Sequence, residues 1–94
     1  MMANYTQGEW VKQGLLIATV GKPGKEGVII ADTRAGNNLH ESDANANLIA
    51  AAPEMYEALH YALRYVGIYA HTDNVARQLQ SKFQQALAKA EGKL

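Results

Sequence analysis

Residues 44–63 read ANANLIAAAPEMYEALHYAL, two alanine-rich helical segments that meet at a proline. Ala52 precedes Pro53, and the residue before a proline is disfavoured in the α conformation. Pro53 itself suits the first position of a new helix, where its missing N–H would have no helical partner. We therefore predict one helix over residues 43–51 and a second over residues 54–69. A single helix kinked at Ala52-Pro53 is the alternative.

Capping residues and apolar periodicity predict where three helices begin and which sides they bury. Ser42 is suited to cap the first helix, and Thr72 or Asp73 can cap a third, which Gly92 would end. Apolar residues recur at three- and four-residue steps in the last two helices, as on a core-facing side. The expected core residues are Met55, Leu59, Ala62, Leu63 and Val66, followed by Val75, Leu79, Phe83, Ala86, Leu87 and Ala90.

The N-terminal third contains two strand candidates, Val11–Val20 and Val28–Thr33, joined by the glycine- and proline-rich residues 21–27. Both candidates are apolar on each face, and a two-stranded hairpin alone is marginal in water. The helices can cover one face; the N-terminal arm with Trp10, another chain or a partner must cover the other. The fold class predicted is α+β: an N-terminal β-hairpin, with a further short strand as an addition, packed on two to three C-terminal helices.

The length of 94 residues predicts a single domain. Within it we expect a flexible arm over residues 1–8, the β-hairpin over 9–34 and the helical part over 42–91. The connection between hairpin and helices is polar, with turn residues at Gly36 and the two asparagines that follow it.

The composition argues against several partners. Nine basic residues balance nine acidic ones and are spread along the chain, so nucleic acid is an unlikely ligand. A net charge of zero instead favours association with protein. The chain begins without a basic and apolar leader, and it lacks a run of about 20 apolar residues, so we expect no membrane partner.

The residues that often carry chemistry are not arranged for it. Residues 21–27 resemble a phosphate loop, but Glu26 stands where a Walker sequence has serine or threonine, and a strand follows. Ser42 and Ser81 lack a nucleophile elbow. No two histidines have helical metal-ligand spacing, and cysteine is absent. The histidines are His40, His60 and His71. We expect no enzyme activity, no cofactor, and no catalytic or metal site.

A tyrosine series on the second helix has two interpretations. Tyr61, Tyr65 and Tyr69 follow one another at four-residue spacing, with Ile68 nearby and Arg64 at the rim. The residues can be core, covered by the hairpin and the third helix. They can also be a protein interface, because tyrosine is enriched in binding hot spots. Stacking on single-stranded bases is a weaker third interpretation, since surrounding basic charge is lacking.

Residues 44–63 resemble the pattern "ANA-x-LIAAAPE-x-x-EAL" of small accessory proteins of tailed bacteriophages and prophages, which are mostly uncharacterised. Residues 86–92 are similar to the "A-x-x-K-A-x-G" tails of such proteins, and an N-terminal hairpin fits them as well. The resemblance implies an early-expressed, nonessential phage gene, some of whose relatives act by binding host proteins. It assigns no catalytic or binding residue.

Together these observations predict a small non-enzymatic protein-binding accessory factor of phage or prophage origin. It would act in the cytoplasm of the bacterial host cell by modulating a host protein or a defence complex, and its partner would be a host or phage protein. The alternatives are a self-associating structural protein, such as a homodimer, and a weak binder of single-stranded nucleic acid. The predicted interaction residues are Tyr61, Arg64, Tyr65, Ile68 and Tyr69.

Overall fold

The computed structural model describes residues 4–34 and 38–94, and the chain divides into two compact units at Ala52 and Pro53. Three strands precede three helices, which confirms the α+β class. The elements are β1 (Trp10–Gln13), β2 (Leu16–Thr19), β3 (Ile29–Asp32), α1 (Leu39–Ala50), α2 (Ala52–Tyr69) and α3 (Asn74–Ala90). The first unit holds the sheet and α1, and the second holds the two longer helices.

The strands form an antiparallel sheet in the order β1-β2-β3. The prediction of one strand over Val11–Val20 is wrong, because the chain reverses within it. Gly14 adopts a φ of +64°, and Gln13 pairs with Leu16 across the resulting two-residue turn. A φ of this sign is accessible to glycine at little cost, so the turn depends on that residue. The further short strand is therefore present, and this segment is itself a hairpin.

The predicted loop between the second pair of strands is confirmed. Lys22 and Lys25 exchange two backbone hydrogen bonds of 2.8 Å each around a tight turn at Pro23-Gly24. At the base of the loop, the Thr19 amide donates to the Val28 carbonyl at 2.9 Å, and the Val28 amide donates to Thr19 Oγ1 at 2.8 Å. The side chain of Thr19 thus continues the ladder where the regular strand pairing ends.

The interior of the first unit is small. Ile17 on the central strand is fully buried, and the residues buried with it are Ala18, Ser42 and Ala46. The buried residues of α1 are Ser42 and Ala46, whose short side chains allow this helix to pack closely against β1 and β2. At the edge of this contact, the Lys12 ammonium pairs with the Asp43 carboxylate.

The first helix begins earlier than the sequence predicts. Asn38 is its N-cap, and its side-chain oxygen accepts from the amides of His40 at 2.9 Å and Glu41 at 3.3 Å. The predicted cap, Ser42, instead lies buried within the helix, so that prediction is wrong. Asparagine and serine are about equally good caps, so residue type alone does not favour Ser42 over Asn38. Gly36 and Asn37 of the predicted connection, and residues 1–3 of the predicted arm, lie outside the described residues.

Two helices, not one kinked helix, form at the proline. Ala50 ends α1, Ala51 follows with φ −85° and ψ −5°, and α2 begins at Ala52. The break lies one residue before the predicted position. Pro53 is buried in the first turn of α2, where no helical hydrogen bond is lost through it.

The helices of the second unit run antiparallel, since Tyr56 meets Glu91 and Gly67 meets Gln80. Asp73 caps α3, with its carboxylate accepting from the Val75 and Ala76 amides at 2.8 and 3.2 Å, which confirms one of the two predicted caps. Gly92 ends this helix as predicted, with φ +74°. The Gly92 and Lys93 amides donate to the carbonyls of Lys89 and Ala88, the pattern of a Schellman motif.

The predicted core sides of α2 and α3 are only partly right. Leu87 is buried and Phe83 half-buried, but Val75 is 63% exposed, Leu79 is 36% exposed and Met55 is 46% exposed. Ala76 and Gln80 turn inward instead. The inward residues 76, 80, 83 and 87 follow the same helical period, so periodicity alone could not choose between neighbouring stripes. None of the helices in the described part is long and apolar enough to cross a membrane.

Candidate protein-interaction surface

The outward side of α2 changes character along its length. Its first two turns expose Glu54, Glu57 and Ala58, and its last turns expose large side chains. The exposed residues recur at three- and four-residue steps, so they share one side of the helix. We call the C-terminal part of this side the aromatic face: Tyr61, Arg64, Tyr65, Ile68 and Tyr69.

The aromatic face is unusually apolar for an outward helix surface. Tyr61, Tyr65 and Ile68 are 68, 64 and 69% exposed, and Tyr69 is 46% exposed. The solvent side of a helix is normally polar, and contiguous exposed apolar surface marks interaction sites. The structure thus brings the five predicted residues together on the outside of the helix. Their binding role stays a prediction.

Contacts within the aromatic face order its side chains. The rings of Tyr65 and Tyr69 lie 5.3 Å apart with an interplanar angle of 54°, and Arg64 Cζ lies 5.9 Å from the centre of the Tyr61 ring. The second distance is within the range of a cation–π contact. A hydrogen bond with Tyr65 raises the pKa of Tyr69 above its usual value. The Tyr69 hydroxyl is thus engaged with that of Tyr65 within the aromatic face.

A groove extends the aromatic face onto α3. Its volume is about 360 Å³, and it lies beside Tyr65 and Tyr69 at the end of the helical pair. The other residues that line it are Val66, Asp73, Val75, Ala76 and Leu79. Val75 and Leu79 were expected in the core, so this part of the surface was not predicted from the sequence. Only the rotation of α3 against α2 places them outside.

The three histidines do not converge on a site. His40 and His71 are exposed, and His60 is half-buried against Tyr56, with ring centroids 4.7 Å apart. Within residues 4–34 and 38–94, no group of three potential metal ligands lies close enough to hold an ion.

A polar cluster fastens the end of α3 to α2. The Tyr56 hydroxyl donates to Glu91 Oε2 at 2.6 Å, and this bond lowers the pKa of the Glu91 carboxyl. Lys93 and His60 act in the same direction more weakly. The cluster joins residues 35 positions apart, so it constrains the packing of the two helices.

We expect Tyr56→Phe to destabilise the second unit at neutral pH and to do so less in acid. The folded pKa of Glu91 lies below its ordinary value of 4.5, so its bond stabilises the fold above that pH and is lost as the pH falls through the folded pKa. Thermal midpoints measured from about pH 7 to about pH 3 should show the difference from wild type shrinking. Tyr61→Phe, an exposed tyrosine on the same helix, is the control. If the difference in thermal midpoint between Tyr56→Phe and wild type stayed equal across this pH range, the stabilising role of the Tyr56–Glu91 hydrogen bond would be contradicted.

The fold and its exposed surface define a class, that of small α+β proteins that carry an aromatic helix face. The family model of Salmonella phage P22 protein Y8K6 matches residues 1–94. Because the match covers all of the residues, the chain belongs to this family of phage proteins. Neither the curated proteins nor the solved structures gave a match. The phage origin implied by the resemblance is thus confirmed, while the relationship of residues 44–63 to a recurring motif stays a prediction.

Proposed function

We propose that this phage protein is a small non-enzymatic protein-binding factor that docks through its aromatic face. Its partner is a host or phage protein in the cytoplasm of the infected cell. The observation that carries the proposal is the exposure of three tyrosines and an isoleucine on one side of α2. A small phage protein with such a face can occupy a surface of a host protein, a component of a defence complex included.

The chemistry of the face supports protein as the ligand. Tyrosine offers a large contact area with few rotatable bonds, and tyrosine and arginine dominate binding hot spots. Arg64 already lies over Tyr61, and Tyr65 lies against Tyr69, so less side-chain entropy is lost on binding. These pairs make the face partly preorganised.

The charges near the face argue against the nucleic-acid alternative. Glu54 and Glu57 occupy the same outward side of α2, and Asp73 lines the adjoining groove. Single-stranded nucleic acid requires a positive groove along its backbone besides stacking residues. Three carboxylates and Arg64 do not supply it.

Affinity capture from a bacterial host lysate tests the proposal with a matched pair of variants. Ile68 and Ile29 are 69 and 66% exposed, but only Ile68 belongs to the aromatic face. We expect Ile68→Ala to reduce recovery of a captured protein about tenfold, as loss of an interface anchor does. Ile29→Ala should leave recovery unchanged.

Tyr65→Ala is the second test variant and should reduce recovery at least as much, because a larger contact is lost. Circular dichroism of each variant confirms that the helices are retained. Equal recovery with Ile68→Ala and Ile29→Ala, or no captured protein at all, would refute binding of a host protein through this face.

A further inference from the structure

The outward side of α2 is complementary to itself. Tyr61 lies at its middle. The residues before Tyr61 are acidic or small, namely Glu54, Glu57 and Ala58, and those after it are basic, aliphatic or aromatic. A helix side that is divided in this way matches a second copy of itself in the opposite direction, since each half then meets the other half.

We propose that the aromatic face binds a second copy of this chain, with the two α2 helices antiparallel about a two-fold axis beside Tyr61. The inference rests on the proposed function, because it names the partner of the same face. Packing two antiparallel helices on such an axis keeps each flank of one helix against the same flank of the other. Residues on the same flank therefore meet when their distances before and after residue 61 agree to within about one position.

One flank of this arrangement pairs opposite charges. Arg64 lies three positions after Tyr61 and Glu57 lies four before it, so each arginine reaches the Glu57 carboxylate of the second copy. The symmetry gives two such pairs in one dimer. Among the described residues, the ion pairs are those of Lys12, Arg34 and Lys93 with nearby carboxylates. Neither Glu57 nor Arg64 takes part in them.

The other flank pairs large side chains with small or accepting ones. Tyr65 meets Ala58 of the second copy, where the short side chain leaves room for a ring. Tyr69 lies opposite Glu54 of the second copy, and a tyrosine hydroxyl can donate to a carboxylate. The two Tyr61 rings meet at the axis, where an offset or edge-on contact is favourable.

The exposed area is sufficient for a modest dimer. At 68, 64 and 46% exposure, the three tyrosines contribute about 350 Å² of surface. Further exposed area comes from Ile68, Arg64 and the acidic half of the helix. A standard interface buries about 800 Å² on each partner. Because the formal net charge of the chain is zero, no overall charge repulsion opposes association of two copies.

Sedimentation of the full chain from about 1 µM to about 100 µM tests the dimer through a charge swap. Wild type should shift from monomer to dimer in this range. Glu57→Arg and Arg64→Glu should each weaken the dimer at least about tenfold, because like charges then meet twice across the axis. The double variant restores opposite charges and should return the dissociation constant to within about threefold of wild type.

Lys82→Glu is the matched control, since this exposed lysine lies on α3 outside the aromatic face. It should not change the dissociation constant. A wild-type chain that stays monomeric, a double variant that is not restored, or an equal effect of Lys82→Glu would overturn the dimer. Circular dichroism shows that each charge variant keeps its helices.

The two proposals fail differently. A monomeric chain that loses a captured host protein on Ile68→Ala retains the proposed function and excludes self-association. A dimer that responds to the charge swap, with no host protein captured, identifies the second copy as the partner. If both measurements are negative, the aromatic face binds neither a host protein nor a second copy.

Discussion

Ile17→Ala should lower the free energy of unfolding by about 2–5 kcal/mol, a large share of what a domain of this size possesses. Within the described residues, Ile17 is the one large side chain that is fully buried. It lies on the central strand opposite Lys12 and Ala31, and its buried neighbours in this unit are small. Small neighbours on a tightly paired sheet cannot expand to fill the cavity that alanine would leave.

Trp10 makes this effect measurable in the sheet itself. It is the single tryptophan of the chain, it begins β1, and its indole donates to the Thr6 carbonyl at 3.0 Å. Urea titrations followed by its fluorescence should show a lower midpoint for Ile17→Ala. Ile29→Ala, at an exposed position, should cost less than about 1 kcal/mol. Similar losses for the two variants would contradict the central role of Ile17.

Gly27→Ala should destabilise the same unit by about 2–4 kcal/mol. A Cβ at this position would lie 2.1 Å from the Thr19 carbonyl oxygen and 3.2 Å from its carbon. Both atoms belong to the backbone, so the loop must move away from β2. That movement strains the two hydrogen bonds that join Thr19 to Val28.

Gly24→Ala is the comparison variant, because it introduces the strain of a positive φ without a steric clash. Gly24 has a φ of +77° but open space around its Cβ position, so alanine there should cost about 1–2 kcal/mol. Urea midpoints of the two variants give the comparison, and amide chemical shifts of residues 19 and 28 locate the disturbance. If Gly24→Ala were the more destabilising variant, close approach of the loop to β2 would not be the reason for glycine at position 27.

Local chemistry explains the parts of the fold that were predicted correctly. Asp73 caps α3, Gly92 ends it, and two helices meet near Pro53, because each of these effects acts within one helical turn. The loop over residues 21–27 was also recognised from its own turn residues. Such local signals do not depend on which distant residues pack against the segment in the fold.

The errors arose where two local solutions were nearly equal. Asn38 and Ser42 are both good caps, and packing against the sheet buries Ser42 instead of leaving it at a helix end. Val11–Val20 is apolar enough for one strand, yet Gly14 permits a reversal that pairs β1 with β2. The longer helix and the extra strand pair bury and bond more groups, and these gains are not visible in a ten-residue window.

For the candidate surface too, local spacing predicted one part and tertiary packing decided the other. Four-residue spacing was sufficient to place Tyr61, Tyr65 and Tyr69 on one side of α2. That spacing could not show whether the side faces inward or outward. The apolar periodicity of α3 likewise assigned the exposed Val75 and Leu79 to the interior.

By itself, the sequence determined the class, the presence of two helices near the proline and the alignment of the tyrosines. All three depend on interactions between residues a few positions apart. The tertiary structure alone decided which stripe of each helix is buried, since the rotation of a helix depends on the shape of its neighbours. That rotation is what leaves the aromatic face and its groove exposed.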